Sequence, residues 1–431
     1  MNNCENIFAL SSGHGKAGVA VIRISGIDLT ALFERIINKK EHNARHAYYT
    51  NMKDDNGDLI DQCIAIYFAS PHSFTGEDVI EIHSHGAPAV INKIFDFLRK
   101  HNCRMAERGE FSKRAFYNNK MDLTGADGLI ALLDAQTDKQ RLSALKSFAG
   151  HDSKIYNDWR NQMIEISAYA AAILDYSEDE LPQNIDTKIK DKTKILLKEL
   201  QDAIAGYRGN RALRNGFNIV LIGETNVGKS SIFNKLVGSN RAIVSDIAGT
   251  TRDVVSQQLE IDGYLVNLSD TAGIRESDDT IEKIGIERTY NEIKNADLII
   301  HVYNSEPHEI NDNEITVINK SDLLKNKKLK NIIYTSAKTG AGFDDLMKII
   351  IEKMNNLMGA TESRVVINER THELLSDAIN ELNDANMKSG NNYDIFAEHV
   401  RRASDAIGKI LGVITTNEIA DATFSRLCLG K

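Results

Sequence analysis

The chain has 431 residues, of which 42% are hydrophobic and 26% charged, and a formal net charge of −9. That length suits two to four domains with ordinary cores, and the acidic balance excludes a protein that simply coats nucleic acid. No apolar run reaches the ~18 residues of a membrane span, no signal-peptide pattern opens the chain, and four scattered cysteines without Cys-x-x-Cys spacing favour a reducing, cytoplasmic setting over a disulfide framework or a zinc site.

Residues 1–118 mix short strands with helices. Strands are expected over 18–24, 62–68 and 78–83, and Ile91, Ile94, Phe95 and Leu98 have the spacing of a helix over 90–98. Arg99, Lys100, Arg104, Arg108, Lys113, Arg114 and Lys120 cluster in sequence. They form either a local basic surface or a solvated face interrupted by Glu107 and Glu110. His83 and His85 alternate on one strand face, but no carboxylate or cysteine lies at ligand spacing, so no metal site is expected there.

From 119 to 214 the pattern turns helical. Ile155, Trp159, Met163, Ile166, Ala170 and Ile173 step by three or four, as do Ile189, Leu196, Leu200, Ala203, Ile204 and Tyr207. Residues 215–356 alternate strands and helices, which predicts a parallel sheet with crossovers. Helices return over 357–431. The simplest arrangement is a multidomain chain in which an α/β domain is inserted into one all-α domain, so that the two flanking helical segments bury their stripes against each other. Only about ten residues join the strands 298–303 and 315–318, short for a parallel crossover, so a trimmed helix is expected there.

The α/β segment carries its chemistry in four elements, each at a strand end. Gly223-Glu-Thr-Asn-Val-Gly-Lys-Ser230 follows the apolar run 217–222 and precedes a helical pattern. This is the Gly-x4-Gly-Lys-Ser phosphate-binding loop in its expected setting. Its N–H groups point inward at phosphates, Lys229 reaches the terminal ones, and the Ser230 hydroxyl can ligate Mg²⁺. Asp270-Thr271-Ala272-Gly273 follows a hairpin turned by Asp262-Gly263. Its Asp holds the Mg²⁺ shell, and its Gly N–H can touch a γ-phosphate. Asn319-Lys320-Ser321-Asp322 places a carboxylate to accept both N–H groups on one edge of guanine, a donor pair that adenine lacks. Ser336-Ala337-Lys338 fits the loop that backs the base. The ligand read from these elements is GTP with Mg²⁺, and the expected fold is a Ras-like P-loop GTPase domain inserted in a helical domain.

Beyond those elements the chain resembles the tRNA modification GTPase family MnmE, also called TrmE, over essentially its full length. The resemblance rests on Val21-Ile-Arg-Ile-Ser-Gly26, Phe74-Thr-Gly-Glu-Asp-Val-Ile-Glu-Ile-His83, Gly109-Glu-Phe-Ser-Lys-Arg-Ala-Phe116, Asp246-Ile-Ala-Gly-Thr-Thr-Arg-Asp253 and Cys428-Leu-Gly-Lys431. The chain departs from the family's usual pattern at Ala87, at Glu107 and Arg108, at Gly125 and Asp127, and at Leu427. The resemblance implies an α+β folate-binding and dimerising N-terminal domain over 1–118, helical parts over 119–214 and 357–431, and a GTPase domain over 215–356. It also implies a homodimer that works with a flavin-dependent partner, MnmG (GidA), as a heterotetramer. Together they would install an aminomethyl-type group on carbon 5 of the tRNA wobble uridine, with the one-carbon unit drawn from a tetrahydrofolate derivative.

The resemblance further implies residue roles. Ile274 stands where other GTPases carry a water-orienting Gln, and Glu282 takes over that task, while Arg275 reads as a surface switch residue. Potassium replaces an arginine finger, held by Asn226 and by Ser245, Ile247 and Thr250; Thr251 adds a second hydroxyl to Mg²⁺. Nucleotide contacts extend over Asn226, Val227, Gly228, Lys229, Ser230 and Ser231, over Ser245, Asp246, Ile247, Ala248, Gly249, Thr250 and Thr251, and over the later motifs. Folate contacts fall on Arg23, Glu81, Lys120 and Lys431. Cys428, in a tail that reads as mobile, is a candidate for the modification reaction. The alternative is a GTP-switched RNA or ribosome assembly factor without modification activity, and a third reading is a folate enzyme with a regulatory GTPase. An assembly factor has no need of folate, so the N-terminal motifs separate the readings.

Overall fold

A computed structural model of the chain describes residues 5–13, 15–177, 180–181, 184–242, 255–270, 292–307, 309–311, 314–324, 332–359, 365–388, 392–414, 420, 423–428 and 430. Two compact units result, residues 1–130 with 148–157 and 407–431, and residues 131–147 with 158–406. Segment 1–118 lies within the first unit and 215–356 within the second, while both helical segments are divided between them.

The first unit opens with β1 (Asn6–Leu10), β2 (Ala17–Gly26), α1 (Thr30–Ile37), β3 (Ala47–Lys53), β4 (Leu59–Phe68), β5 (Asp78–Gly86), α2 (Pro88–Lys100), β6 (Cys103–Met105) and α3 (Glu110–Tyr117). The strands form one sheet in the order β3-β4-β5-β2-β1-β6, antiparallel except where β6 runs beside β1. The expected strands are β2, β4 and β5. The sequence does not announce β1, β6 or β3, the last an edge strand in which only Thr50 and Met52 are buried. Alternation along each strand sends Phe8, Ile22, Ile24, Ala65, Ile80 and Ile82 to a face packed by Phe33 and Ile36 of α1 and Ile94 and Leu98 of α2. On the other face, Ile7 and Ala9 pack on Ala106 and Phe111. Farther across it, Arg23, Glu81 and His83 stand half-buried.

Next comes α4 (Leu123–Asp134), whose Leu123, Ala126 and Ile130 pack with Ala420, Phe424 and Leu427. The described residues of the chain's last segment, 420, 423–428 and 430, are therefore packed within the first unit, contrary to the mobile tail expected. Two glycines permit the seating. A Cβ on Gly109 (φ +68°) would lie 2.0 Å from the Phe424 carbonyl oxygen, and one on Gly430 (φ +91°) 2.4 Å from that of Leu10. The hydroxyl of Ser11 also donates to the Gly430 carbonyl at 2.9 Å. A polar, glycine-bearing end reads as loose from the sequence because its burial depends on partners as far as 419 residues away along the chain.

Helices α5 (Asp138–Phe148), α6 (His151–Asp175), α7 (Ile185–Ala205) and α8 (Tyr207–Asn215) follow. Trp159 of α6 is buried, and its indole N–H donates to Glu199 of α7 at 2.9 Å. The sheet of the second unit joins β7 (Phe217–Ile222), β8 (Arg241–Ala242), β9 (Val255–Ile261), β10 (Tyr264–Asp270), β11 (Leu298–Tyr303), β12 (Ile315–Ile318) and β13 (Ile333–Tyr334) in the order β13-β12-β11-β7-β10-β9-β8. Five strands are parallel, while β9 and β8 run antiparallel at one edge, so the sheet is mixed rather than wholly parallel. The two-residue turn at Asp262 (φ +50°) and Gly263 (φ +76°) matches the twist of the β9–β10 hairpin. One face is covered by α9 (Lys229–Ser239) and α10 (Phe343–Gly359), through Ile232, Phe233, Leu236, Leu346, Ile350 and Met354. β11 pairs directly with β12, and the described residues of 304–314 form neither helix nor strand. Last come α11 (Glu369–Lys388) and α12 (Tyr393–Leu411); α11 packs along α7.

Candidate functional site

The phosphate loop leaves the end of β7 and enters α9 at Lys229, two residues earlier than the helical pattern alone placed it. Its path needs left-handed backbone at Gly223 (φ +140°), Asn226 (φ +63°) and Gly228 (φ +98°). A Cβ on Gly223 would lie 2.2 Å from the Val302 carbonyl oxygen, and one on Gly228 2.2 Å from Asn319 Nδ2. Glycine is thus required at both places for packing as well as dihedral reasons. Lys229 is buried, and its ammonium donates to the carbonyls of Gly223 (2.7 Å) and Glu224 (2.8 Å). An ammonium has three N–H groups, so one remains to turn toward a phosphate. Burial lowers the Lys229 amine from its ordinary value, and the Asp270 carboxylate pulls the other way. The Ser230 hydroxyl donates to Asp270 Oδ2 at 2.7 Å across the end of β10. A hydroxyl and a carboxylate this close are hard oxygen donors of the kind Mg²⁺ takes. Ser231 is exposed on the first turn of α9 and Val227 is buried beneath the loop.

The base-side loops are tied to the phosphate loop by one asparagine. Buried Asn319 donates from Nδ2 to the Val227 carbonyl (3.1 Å) and accepts the Ala337 N–H at Oδ1 (3.3 Å). Lys320, at φ +58°, donates to the Asn226 carbonyl at 2.8 Å. Asp322 is exposed and accepts the Ser336 hydroxyl at 2.6 Å. That hydrogen bond is the first cause of a carboxyl held below its usual range, with the charge of exposed Lys338 assisting. An ionised carboxylate at this place can accept two N–H groups, which is what a guanine edge offers. Asn226, Val227, Gly228, Lys229, Ser230, Asp270, Asn319, Lys320, Asp322, Ser336 and Ala337 are thus gathered at the carboxyl ends of the sheet strands, where nucleotides bind in open α/β folds. Ser245, Asp246, Ile247, Ala248, Gly249, Thr250, Thr251, Thr271, Ala272, Gly273, Ile274, Arg275, Glu282 and Lys431 lie outside the described residues.

In the first unit, antiparallel register sets Arg23 opposite Glu81. The guanidinium donates to Glu81 Oε1 from Nε (3.0 Å) and Nη2 (2.9 Å), and it lies 5.4 Å from the Phe74 ring centroid. A guanidinium, a carboxylate and aromatic rings suit a planar heterocycle with carboxylate groups, so the donor set fits a folate. Lys120 is exposed; a Cβ on Gly76 would lie 3.2 Å from its Cε, which sets the lysine stem over the loop before β5. Cys428 is exposed, with its carbonyl 3.4 Å from the Gly109 N–H. Cys63 and Cys103 are buried, and desolvation pushes their thiols up to about 12 and about 11. Among the described cysteines only Cys428 has a thiol open to chemistry.

Three of the seven cations of the basic run are paired with carboxylates within the fold. Arg114 is buried and donates to Glu77 (2.8 Å), Glu110 (3.0 Å) and the Glu5 carbonyl (2.9 Å), while Arg104 pairs with Glu110 and Glu5 and Arg99 with Asp96. Much of its charge is neutralised within the fold, partly by Glu110, which had been taken for a surface interruption. The histidines too have partners that linear spacing hides. Asp61 of β4 accepts the His85 N–H and contacts its Nδ1, each at 2.8 Å, and Glu81 Oε2 lies 3.5 Å from His83 Nε2. Carboxylate partners exist but come from a neighbouring strand or from two residues away on the same face, which linear spacing does not display. Among the described residues no group of three or more such side chains could hold a metal ion, and no helix is long and apolar enough to cross a membrane.

The family model described as "GTP-binding protein TrmE N-terminus" matches residues 6–120, and the one described as "MnmE helical domain" matches residues 123–428. The tRNA modification GTPase MnmE of Rickettsia prowazekii (strain Madrid E) is 38% identical, covering 99% of this chain and 100% of its own length. That of Rickettsia canadensis (strain McKiel) is also 38% identical with the same coverage. Among solved structures, the G domain of the T. maritima FeoB iron transporter is 26% identical over 32% of this chain and 98% of its own length, with a TM-score of 0.24. With one model covering most of the chain and full-length relatives at this identity, the chain belongs to the MnmE (TrmE) family of tRNA modification GTPases.

Proposed function

We propose that the chain hydrolyses GTP at the Lys229 loop and couples that hydrolysis to modification of carbon 5 of the tRNA wobble uridine. The observation that carries the reading is the unbroken wiring from phosphate loop to base loop, in which Asn319 binds both and the Ser336 hydroxyl holds the Asp322 carboxyl below its usual range. Lys229 has an N–H to spare for the β- and γ-phosphate oxygens, where charge builds as the terminal phosphoryl group leaves. Glu282 orients the attacking water in place of the Gln that Ile274 replaces. Ser230 and Thr251, with Asp270 behind them, would hold Mg²⁺, which supplies charge neutralisation at the phosphates. Asn226, Ser245, Ile247 and Thr250 would hold K⁺ in the role of an arginine finger.

On the N-terminal unit, Arg23, Glu81, Lys120 and Lys431 would hold a tetrahydrofolate derivative that supplies the one-carbon unit, and Cys428 is the candidate group for the modification reaction. The working assembly is a homodimer held by its N-terminal domains and joined to the flavin-dependent partner MnmG (GidA) and tRNA. The packing of α7 on α11, which flank the nucleotide domain in sequence, supports its insertion into one helical domain. The test is GTP hydrolysis by the full chain in equal concentrations of KCl and NaCl. Turnover at least tenfold faster in potassium is the expected result, with the difference abolished in Asn226→Ala. Equal slow rates in both salts would remove the cation role.

A further inference from the structure

Glu81 is the hinge of the outer face of the N-terminal sheet. Its Oε1 is fully used by Arg23, which donates two hydrogen bonds to it. Its Oε2 points along β5 at His83, whose Nε2 lies 3.5 Å away, beyond hydrogen-bond distance. That nitrogen is buried, and among the described residues it has no hydrogen-bond partner. Its cross-strand neighbours are Val21 on β2 and Ile64 on β4, neither of which can serve it. The charged groups nearby are few. One pair along on β2 is Arg23, already bound to Glu81. Next on β5 is His85, already held by Asp61 of β4. From α3 and the loop before β5, the groups facing this corner are the rings of Phe111 and Phe74, which lie against Arg23. Among the described residues, Glu81 Oε2 is therefore the one anionic atom placed beside the His83 imidazole.

A buried polar nitrogen without a partner carries a desolvation cost that a native fold seldom leaves standing without a reason. We propose that His83 gates the Glu81 carboxylate by its protonation: the neutral imidazole leaves Oε2 free to accept ring N–H groups of a heteroaromatic ligand, and the imidazolium closes onto Oε2 and excludes that ligand. The inference rests on the reading of Arg23 and Glu81 as folate contacts. His83 here is a positioning residue that acts through Glu81, and its signature is a pH profile rather than a loss of binding at one pH.

The experiment is calorimetric titration of the full-length protein with 5-formyltetrahydrofolate between pH 7.5 and 5.5, the span over which histidine changes charge. Wild-type affinity is expected to fall about tenfold across that span. In His83→Gln the dependence should flatten, whatever the absolute affinity; titration of the ligand's own carboxylates moves both proteins alike. Parallel profiles for the two proteins would overturn the gate while leaving the folate reading intact. Absence of binding at every pH would reject the folate reading itself. A ligand-free measurement then decides the gate: a crystal structure at pH 5.5 should show His83 Nε2 within hydrogen-bond distance of Glu81 Oε2. A separation unchanged from that at pH 7.5 would overturn the proposed coupling.

Discussion

At the nucleotide site most contacts run from a side chain to a backbone carbonyl: Lys229 to Gly223 and Glu224, Asn319 to Val227, Lys320 to Asn226. On the N-terminal unit the corresponding contacts run between opposite charges: Arg114 with Glu77 and Glu110, Arg104 with Glu110, Arg23 with Glu81. The difference predicts two kinds of fragility. A site whose shape is held by main chain fails when volume is added where the backbone turns. A unit held by buried ion pairs fails when one charge is removed, because its partners stay behind desolvated.

The largest effect is expected in the ionic region. Arg114 and Glu110 are both buried, and Arg114→Met leaves Glu77 without its cation and Glu110 with Arg104 alone. Breaking a buried pair from one side costs about 3–5 kcal/mol. The earliest step of thermal unfolding should move down accordingly, followed by circular dichroism on the full chain. GDP affinity, measured below that step, should stay within about twofold, because distant sites with no shared partners behave independently. If GDP affinity fell in parallel, the separation of the two regions would be wrong.

The converse change is Gly228→Ala. The added methyl meets Asn319 Nδ2 at 2.2 Å on a backbone with φ +98°, so either the loop or Asn319 must yield. Strain of this kind costs on the order of 1–3 kcal/mol, and moving Asn319 also breaks its bond to Val227. GDP affinity should drop roughly 100-fold with the N-terminal unfolding step unmoved. Titration with a fluorescent guanine nucleotide reads the first quantity and calorimetry the second.

How far each region could be read from sequence follows from the same contrast. The phosphate loop is eight consecutive residues, and its glycines, lysine and serine announce both a backbone path and a ligand. The hairpin turn at Asp262-Gly263 was legible for the same local reason. Glu110 and Arg114 look like any solvated helix face, and only the fold reveals them as buried partners. Arg23 and Glu81 are 58 residues apart, and their pairing is a property of β2–β5 register, not of either segment. Asp61 beside His85 and Phe424 over Gly109 were invisible for the same reason. Local chemistry is written in order along the chain, whereas long-range pairing has to be folded to be seen.

A smaller effect tests the ionic region by pH. Burial would raise the Glu110 carboxyl, but hydrogen bonds from Arg104, the Glu107 N–H and Arg114 outweigh it and hold the group below the usual range. A folded value below the unfolded one, about 4.3, means the stabilisation is complete above that pH. It is lost as pH falls through the folded value. The earliest unfolding step should therefore drop between about pH 5 and 3 more steeply in the wild type than in Glu110→Gln. Equal slopes would mean that other carboxylates govern acid sensitivity.

The smallest effect sharpens the nucleotide side, where one carboxylate does depend on a side-chain donor. The first cause of the lowered Asp322 carboxyl is the Ser336 hydroxyl, 2.6 Å away. Ser336 is itself buried, so its hydroxyl is fixed in place rather than exchanged freely with water. Removing it in Ser336→Ala should weaken GDP binding only about threefold to fivefold at pH 7.5, since Asp322 is exposed and stays ionised there. The informative quantity is the ratio of mutant to wild-type affinity as the solution is acidified. Guanine needs the ionised carboxylate; without Ser336 that carboxylate protonates at a higher pH, so the ratio should worsen steadily below about pH 4.5. A ratio that stays constant as pH falls would mean that the hydroxyl only orients Asp322, and that its charge at the base site is set by the nucleotide alone.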